Sequence, residues 1–153
     1  MIYFFDSSSI VKLYIEETGS DWVRKIFDNY PTPHLWISRI AGPEVTSALT
    51  RRFRSDDLDK ENYQNCLEYF ELEYAQNFSR TDVTPDILQS AMILIKRHNL
   101  RSYDGVQLAS ALSVNRDSER ELNQTVTFIS ADNQLCTAAE MEGLIVENPN
   151  DHP

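Results

Sequence analysis

Short apolar segments alternate with longer segments of helical periodicity along the whole chain, and this alternation restricts the possible folds most strongly. The apolar run at residues 2–5 is too short for a helix and ends at Asp6. The run at residues 125–129 is continuous and rich in β-branched side chains, which is typical of a buried strand. Strands that alternate with helices predict an α/β fold with a central parallel sheet of four to five strands, covered by helices on both faces.

The predicted boundaries give one domain at residues 1–149 and a short C-terminal tail at residues 150–153. The predicted strands are 2–5, 34–37, 78–83, 125–129 and 144–146, and the predicted helices are 7–15, 19 onward, 42–54, 59–77, 85–98, 102 onward and 132–142. Ser102 is the predicted N-cap of the sixth helix, Gly143 follows the end of the seventh, and Pro31-Thr-Pro33 predicts a turn.

Composition excludes several classes of site. The four glycines are isolated, whereas a Walker A loop and a dinucleotide fingerprint both need clustered glycines. Cys66 and Cys136 form no CxxC pair and the histidines show no metal-ligand spacing, which excludes a zinc knuckle and a disulfide scaffold. Free thiols favour the cytoplasm. The run at residues 2–5 is too short for a signal peptide or a membrane span, so we expect no membrane association.

The charge distribution allows a local site for a polyanion. A net charge of −10 argues against a surface that coats nucleic acid. However, residues 1–54 carry seven basic and six acidic side chains, whereas residues 55–153 carry seven basic and eighteen acidic ones. The candidate phosphate-contacting residues of the first third are the clustered arginines Arg39, Arg51, Arg52 and Arg54. A favourable position at a helix C-terminus, with the charges solvated, explains these arginines equally well.

Two aspartates follow predicted strands at the point where each strand ends. Asp6 follows the first strand and Asp132 follows the fourth, and either one is also suited to cap the next helix. In parallel sheets, sites form at the carboxyl ends of the strands. Two carboxylates at neighbouring strand ends repel each other unless a cation lies between them. The pattern therefore favours a hard divalent ion, because magnesium prefers oxygen ligands.

Two further carboxylates lie at the starts of predicted helices. Glu44 is in a first turn, where the helix dipole alone favours an acidic residue, but its helix has an apolar face that would pack on the core. Asp104 opens a helix that is otherwise almost entirely apolar or small. Carboxylates are rare in helices buried so completely unless something satisfies them. For Asp104 a functional role is therefore the better interpretation.

Four segments of the chain carry these carboxylates in order. They are Asp-Ser-Ser-Ser-Ile-Val-Lys-Leu-Tyr at 6–14, Pro-Glu-Val-Thr-Ser-Ala-Leu at 43–49, Leu-Arg-Ser-Tyr-Asp-Gly-Val-Gln-Leu-Ala-Ser-Ala-Leu at 100–112 and Phe-Ile-Ser-Ala-Asp at 128–132. In this order the segments resemble the first, second, third and fourth motifs of PIN-domain nucleases. The resemblance extends from residue 2 to about residue 149. Within the family, the chain is most similar to VapC-like toxins of toxin–antitoxin pairs.

The resemblance implies a three-layer α/β PIN-like fold and a site for Mg²⁺ or Mn²⁺. Asp6 and Asp104 would be the principal ligands, and Glu44 and Asp132 would complete the site. The implied activity is metal-dependent endoribonucleolytic cleavage, by the toxin of a type II toxin–antitoxin pair. A carboxylate-held divalent ion suits this reaction because it activates water and relieves charge on the phosphate. The implied partners are an RNA substrate, a VapB-like antitoxin and a second copy of the chain.

Other features have both a structural and a functional interpretation. Ser8 and Ser130 are expected to orient water or a ligand, or to cap helices. Residues 55–73, with one basic and seven acidic side chains, form either a solvated face or a surface for a basic partner segment. On the same helix an apolar stripe predicts core packing, with a homodimer seam as second choice; it consists of Tyr63, Leu67, Phe70 and Tyr74.

Two other classes of function stay open. One is aspartate-based phosphotransfer with Asp6 as the nucleophile, although Ser8 stands where a haloacid-dehalogenase site needs a second carboxylate. The other is a non-catalytic PIN-like module that binds RNA or a protein partner. It is disfavoured because all four carboxylate positions are filled. Metal-dependent cleavage of RNA distinguishes the three classes.

Overall fold

The core of the protein is a five-stranded sheet. The computed structural model describes residues 1–30 and 34–153, so the predicted turn at Pro31–Pro33 lies outside the described residues. The strands are β1 (Ile2–Phe5), β2 (Leu35–Ser38), β3 (Ser79–Thr81), β4 (Val126–Ile129) and β5 (Ile145–Glu147). Their order is β3-β2-β1-β4-β5, and each neighbouring pair is parallel. This confirms the predicted parallel sheet and places the ends of β1 and β4 side by side.

Helices cover both faces of the sheet. The helices are α1 (Ser7–Val11), α2 (Ser20–Asn29), α3 (Ala41–Arg54), α4 (Lys60–Gln76), α5 (Pro85–His98), α6 (Ser102–Leu122) and α7 (Asn133–Met141), followed by a 3₁₀ turn at Pro149–Asp151. Helices α1 to α4 pack on one face, and α5 to α7 pack on the other. The expected three-layer α/β architecture is confirmed.

The central strand β1 shows why the sheet must be covered twice. Successive side chains of a strand point to opposite faces, so Phe4 joins the core under α5 to α7 and Phe5 joins the core under α1 to α4. Both rings are completely buried. Burial of each phenylalanine stabilises the fold by about 2–3 kcal/mol. An apolar run without alternation is therefore expected for a strand between two helical layers.

Helix α4 confirms the predicted core stripe. Asp59 caps it by accepting a hydrogen bond of 2.8 Å from the Asn62 backbone N–H. Phe70 is buried, and the other members of the stripe are partly buried against the same core. The stripe therefore serves core packing within the chain, and the second interpretation, a homodimer seam, stays a prediction.

Helix α1 is shorter than the predicted helix at residues 7–15. Its last residue is Val11, and the next residues form tighter turns with i→i−3 hydrogen bonds, such as Leu13 N–H to Ile10 O. Lys12 explains the early end, because its side chain turns into the protein. Its ammonium group donates to the Thr18 carbonyl at 2.8 Å and to Asn150 Oδ1 at 3.0 Å. These contacts tie α1 to the C-terminal 3₁₀ turn.

The prediction that Ser102 caps the sixth helix is wrong. Arg101 occupies the N-cap position of α6 and makes no side-chain capping bond, and Ser102 is the first helical residue. The helix then continues to Leu122, because it packs along α5 as well as on the sheet. Within the described ranges, no helix combines the length and the apolar character that crossing a bilayer requires.

Candidate active site

The four predicted carboxylates line one cavity at the carboxyl edge of the sheet. The cavity has a volume of about 430 Å³, and its walls include Asp6, Glu44, Asp104 and Asp132. The four come from the end of β1, the first turn of α3, the first turn of α6 and the β4–α7 junction. A larger cavity, of about 710 Å³, lies between the β2–β3 edge and α6, and none of the four lines it.

Asp6 is held rigidly at the base of the cavity. Its Oδ1 accepts hydrogen bonds from Ser8 Oγ at 2.7 Å and from the Ser9 backbone N–H at 3.0 Å, and its Oδ2 accepts one from Ser130 Oγ at 3.0 Å. The residue is 4% exposed. Burial raises the pKa of this carboxyl group to about 6, although the three donors act in the opposite direction. Asp6 is thus both the N-cap of α1 and a buried carboxylate of the cavity.

Serine side chains connect the two strand ends. Ser8 Oγ accepts a hydrogen bond from the Ala131 backbone N–H at 2.9 Å, and Ser130 Oγ accepts one from the Asp132 backbone N–H at 3.1 Å. Each serine also donates to Asp6, so the β1–α1 and β4–α7 junctions are crosslinked. Asp132 caps α7 through Oδ1, which accepts from the Leu135 backbone N–H at 3.0 Å. The capping interpretation of Asp6 and Asp132 is therefore correct, and it is compatible with a site.

A hydrogen-bonded triangle fixes Glu44. Its Oε2 accepts from Ser7 Oγ at 2.6 Å and from Gln107 Nε2 at 2.6 Å, and Gln107 Nε2 also donates to Ser7 Oγ at 2.8 Å. Gln107 is 1% exposed, and its Oε1 has no hydrogen-bond partner among the described residues. The triangle joins α1, α3 and α6, so the position of Glu44 depends on the packing of three helices.

Asp104 lies close to other carboxylates and to one arginine. Burial raises the pKa of Asp104, and the negative charges of Asp132 and Glu44 raise it further, whereas Arg101 lowers it. Arg101 Nε lies 3.8 Å from Asp104 Oδ2, and Arg101 Nη2 lies 3.9 Å from Asp132 Oδ2. The two carboxylates thus already share a cationic group at the mouth of the cavity.

The predicted arginines occupy different places. Arg51 lines the cavity, and its Nη1 donates to Ser47 Oγ at 3.1 Å. Arg52 is paired with Glu17, and Arg39 is paired with Asp82. Arg54 is exposed at the end of α3 and does not line the cavity. Of the four, the structure brings only Arg51 to the cavity. Arg52 and Arg54 point elsewhere because successive helical residues are rotated by about 100°.

The donor set fits a hard divalent ion. Across residues 1–30 and 34–153, no three carboxylate, imidazole or thiol side chains are grouped closely enough to hold a metal ion together. Magnesium does not require such a group, because it usually binds through one or two carboxylates and keeps several waters. The cavity supplies the right donors, namely four carboxylates with serine hydroxyls beside them. One of those carboxylates, Asp6, is buried among neutral donors, where a cation relieves the cost of burying its charge.

Two residues of the cavity were not predicted from the sequence, Gln107 and Arg101. Gln107 is a polar residue in the apolar part of α6 and lies three positions after Asp104, so both share one helix face. That signal was available in the sequence. Arg101 lies three positions before Asp104, but an exposed arginine at a helix start carries no comparable signal.

The fold and the site together define the class of protein. The PIN domain model matches residues 3–140. The chain belongs to the PIN domain family, which confirms the resemblance seen in the four motifs.

The chain is also similar to individual proteins of known name or structure. Over 113 residues the chain is 34% identical to "Ribonuclease VapC45" of Mycobacterium tuberculosis (strain CDC 1551 / Oshkosh), covering 74% of this chain and 76% of the relative. The solved structure of PAE2754 from Pyrobaculum aerophilum aligns with a TM-score of 0.66 at 17% identity, over 99% of this chain and 91% of that one. A chain of a toxin–antitoxin complex from Klebsiella pneumoniae aligns with a TM-score of 0.62 at 16% identity, over 96% of this chain and 97% of that one. These structures establish the shared fold.

Proposed function

We propose that the protein is a divalent-metal-dependent endoribonuclease that hydrolyses RNA phosphodiester bonds. The observation that carries the proposal is the convergence of Asp6, Glu44, Asp104 and Asp132 on one cavity in a PIN-domain chain. A relative at 34% identity is named a ribonuclease, which supports RNA as the substrate class. The free thiols of Cys66 and Cys136 support a cytoplasmic location.

Each side chain has a distinct task in this proposal. Asp6 and Asp104 would be the principal residues that hold Mg²⁺ or Mn²⁺, and Glu44 and Asp132 would complete the site. The bound ion supplies an activated water and relieves charge on the phosphate. Ser8 and Ser130 keep the Asp6 carboxylate in place by the hydrogen bonds described above.

Three other side chains assist the site, two by holding Glu44 and one by binding the RNA. Ser7 and Gln107 hold Glu44, so that its carboxylate does not have to be ordered when substrate arrives. Arg51 binds a phosphate of the RNA, because it reaches the cavity from α3 with no carboxylate partner in the described part of the chain.

The alternative of phosphotransfer through Asp6 has less support. A haloacid-dehalogenase site needs a second carboxylate two residues after the nucleophile, and Ser8 stands there and donates its hydroxyl hydrogen to Asp6 Oδ1. The non-catalytic module is the stronger rival, because the same cavity could bind RNA without cleaving it.

Cleavage of a cellular RNA pool tests the proposal against both alternatives. We expect the purified protein to cut RNA in millimolar Mg²⁺ or Mn²⁺ and to stop when EDTA is added. Asp104→Asn should abolish cleavage, and sequencing of the cut ends would define the preferred site. Asp86→Asn is the matched control, because Asp86 also lies in the first turn of a helix, α5, but outside the cavity. Binding of RNA without any cut ends would establish the non-catalytic module instead.

We also propose that the protein is the toxin of a toxin–antitoxin pair and that its VapB-like antitoxin places a basic side chain in the cavity. Arg101 lies between Asp104 and Asp132, which indicates that a guanidinium group suits these carboxylates. The acidic surface of residues 55–73 would attract a basic partner segment and accelerate association. The similar chain from Klebsiella pneumoniae belongs to a toxin–antitoxin complex, which supports such a partner.

Competition tests the partner proposal. The protein should co-purify with the product of a small adjacent gene, and excess Mn²⁺ should weaken the complex. Glu44→Gln and Asp104→Asn should weaken it as well, because each removes a charge that the basic side chain contacts. Unchanged affinity in both variants and in excess Mn²⁺ would place the contact elsewhere.

A homodimer is the last part of the proposal. The supporting observation is an exposed apolar face on α5, formed by Leu88, Met92 and Ile93. Burial of such a face against a second copy would remove apolar surface from water.

A further inference from the structure

Arg101 stands out among the charged side chains around the cavity because, within the described residues, its guanidinium makes only long ion pairs and no hydrogen bond. It occupies the N-cap position of α6 without making a capping bond. Its side chain is 85% exposed, yet it reaches two carboxylates of the site, Asp104 and Asp132. The two distances, 3.8 and 3.9 Å, exceed those of hydrogen bonds.

Contacts of this kind contribute little to stability. Exposed ion pairs are worth about 0–1 kcal/mol, because water screens them and the long side chain loses freedom. The Arg101 guanidinium therefore leaves these carboxylates at small cost. It is also accessible, since most of the side chain faces solvent at the cavity mouth. A group that is cationic, accessible and weakly held is suited to receive an anionic ligand.

We propose that Arg101 is a phosphate-binding residue that grips the RNA backbone at the mouth of the cavity, on a different element from Arg51. This inference rests on the proposed function, since the phosphate belongs to the RNA substrate. A planar guanidinium binds a phosphate through two parallel hydrogen bonds, which fixes the orientation of the phosphate as well as its position. Two arginines from α3 and from the start of α6 would orient the RNA strand over the four carboxylates.

The position of Arg101 has a second consequence. A divalent cation and the Arg101 guanidinium compete for Asp104 and Asp132, because both are cations that neutralise the same pair of charges. Removing the guanidinium therefore strengthens metal binding while it weakens RNA binding. A residue with a merely structural role would weaken both.

Three variants of the full chain test the inference: Arg101→Ala, Arg101→Lys and the control Arg120→Ala. Arg120 lies near the other end of α6 and pairs with Asp117 at 3.2 Å and Glu121 at 2.9 Å, so it is also an exposed arginine between two carboxylates. Mn²⁺ affinity is measured from the electron paramagnetic resonance signal of the free ion. RNA affinity is measured by fluorescence anisotropy with a phosphorothioate oligoribonucleotide, in Mg²⁺, over a range of salt concentrations.

Arg101→Ala should bind Mn²⁺ more tightly, by up to about fivefold. Its RNA affinity should fall, and the salt slope, which is the slope of log affinity against log salt concentration, should be smaller by about one unit. Arg101→Lys should keep the slope but bind RNA more weakly, because an ammonium group lacks the planar fork. Arg120→Ala should change neither quantity.

The failures are distinguishable. If the unmodified protein binds RNA and Arg101→Ala leaves the salt slope unchanged, the inference about Arg101 is wrong and the proposed function stands. If Arg101→Ala weakens both Mn²⁺ and RNA binding, Arg101 has a structural role instead. If the unmodified protein binds Mn²⁺ but no RNA, the proposed function fails and the phosphate-binding role fails with it.

Discussion

Replacing Asp6 by asparagine should change how the stability of the protein depends on pH. Burial raises the pKa of Asp6 to about 6 in the folded protein, compared with 3.8 for an unperturbed aspartate. Between these values the folded protein keeps a proton that the unfolded chain has lost. The stability that this proton confers is fully present below the unfolded pKa and is lost as the pH rises through the folded pKa.

The size of the effect follows from the two pKa values. The full difference of about 2 units corresponds to about 3 kcal/mol. At pH 5 the folded Asp6 is mostly protonated while the unfolded one is mostly ionised, and at pH 8 both are ionised. Asp6 thus loses about 1.4 kcal/mol of stabilisation between pH 5 and pH 8. Asparagine cannot ionise, so the free energy of unfolding of Asp6→Asn should rise by about 1.4 kcal/mol relative to that of the unmodified protein over this interval.

Urea unfolding at pH 5 and pH 8 in EDTA measures this difference. Asp59→Asn is a matched control, because Asp59 caps α4 through the same kind of hydrogen bond as Asp6 but is exposed. Backbone hydrogen bonding lowers the pKa of Asp59, so it is ionised in both states above pH 5 and its variant should show no such change. If the Asp6→Asn difference stays constant or falls between pH 5 and pH 8, Asp6 is not a buried carboxylate with a raised pKa.

Three more outcomes are expected, two for side chains of the site and one for the exposed apolar face on α5. Arg51→Ala should lower the log–log salt slope of RNA binding by about one unit. Arg52→Ala should leave the slope unchanged, because the Arg52 guanidinium is already paired with Glu17. Anisotropy titrations that show equal slopes for the two variants would contradict this. Gln107→Ala should slow RNA cleavage by about tenfold or more, because Glu44 loses a donor; an unchanged kcat would refute this role. Met92→Glu should convert the proposed dimer to a monomer in light scattering, and a variant that stays dimeric would place the interface elsewhere.

The sequence predicted those parts of the fold and site that depend on local signals. Asp6 and Asp132 each follow a β-rich apolar run and cap the next helix, and both signals lie within a few residues. Parallel pairing of β1 with β4 then brings the two together, because the carboxyl ends of parallel strands share one edge. The convergence of the strand-end carboxylates was therefore predictable from the pattern alone.

The contacts that were not predicted depend on packing between distant segments. Gln107 meets Ser7 and Glu44, which are 100 and 63 residues away in sequence, only after α6 has docked beside α1 and α3. Helix α1 ends early because Lys12 binds groups from the following loop and from the C-terminal turn. Local periodicity carries no information about such long-range hydrogen bonds.

The central claim is that the four carboxylates hold a divalent ion that RNA hydrolysis requires. The most direct test measures Mn²⁺ occupancy by electron paramagnetic resonance and RNA cleavage in the same samples as Mn²⁺ is raised. We expect cleavage and occupancy to rise together in the unmodified protein. Asp104→Asn should lower both, and Asp86→Asn should lower neither. Cleavage that persists in EDTA, or full Mn²⁺ occupancy without any cleavage of RNA, would contradict the claim.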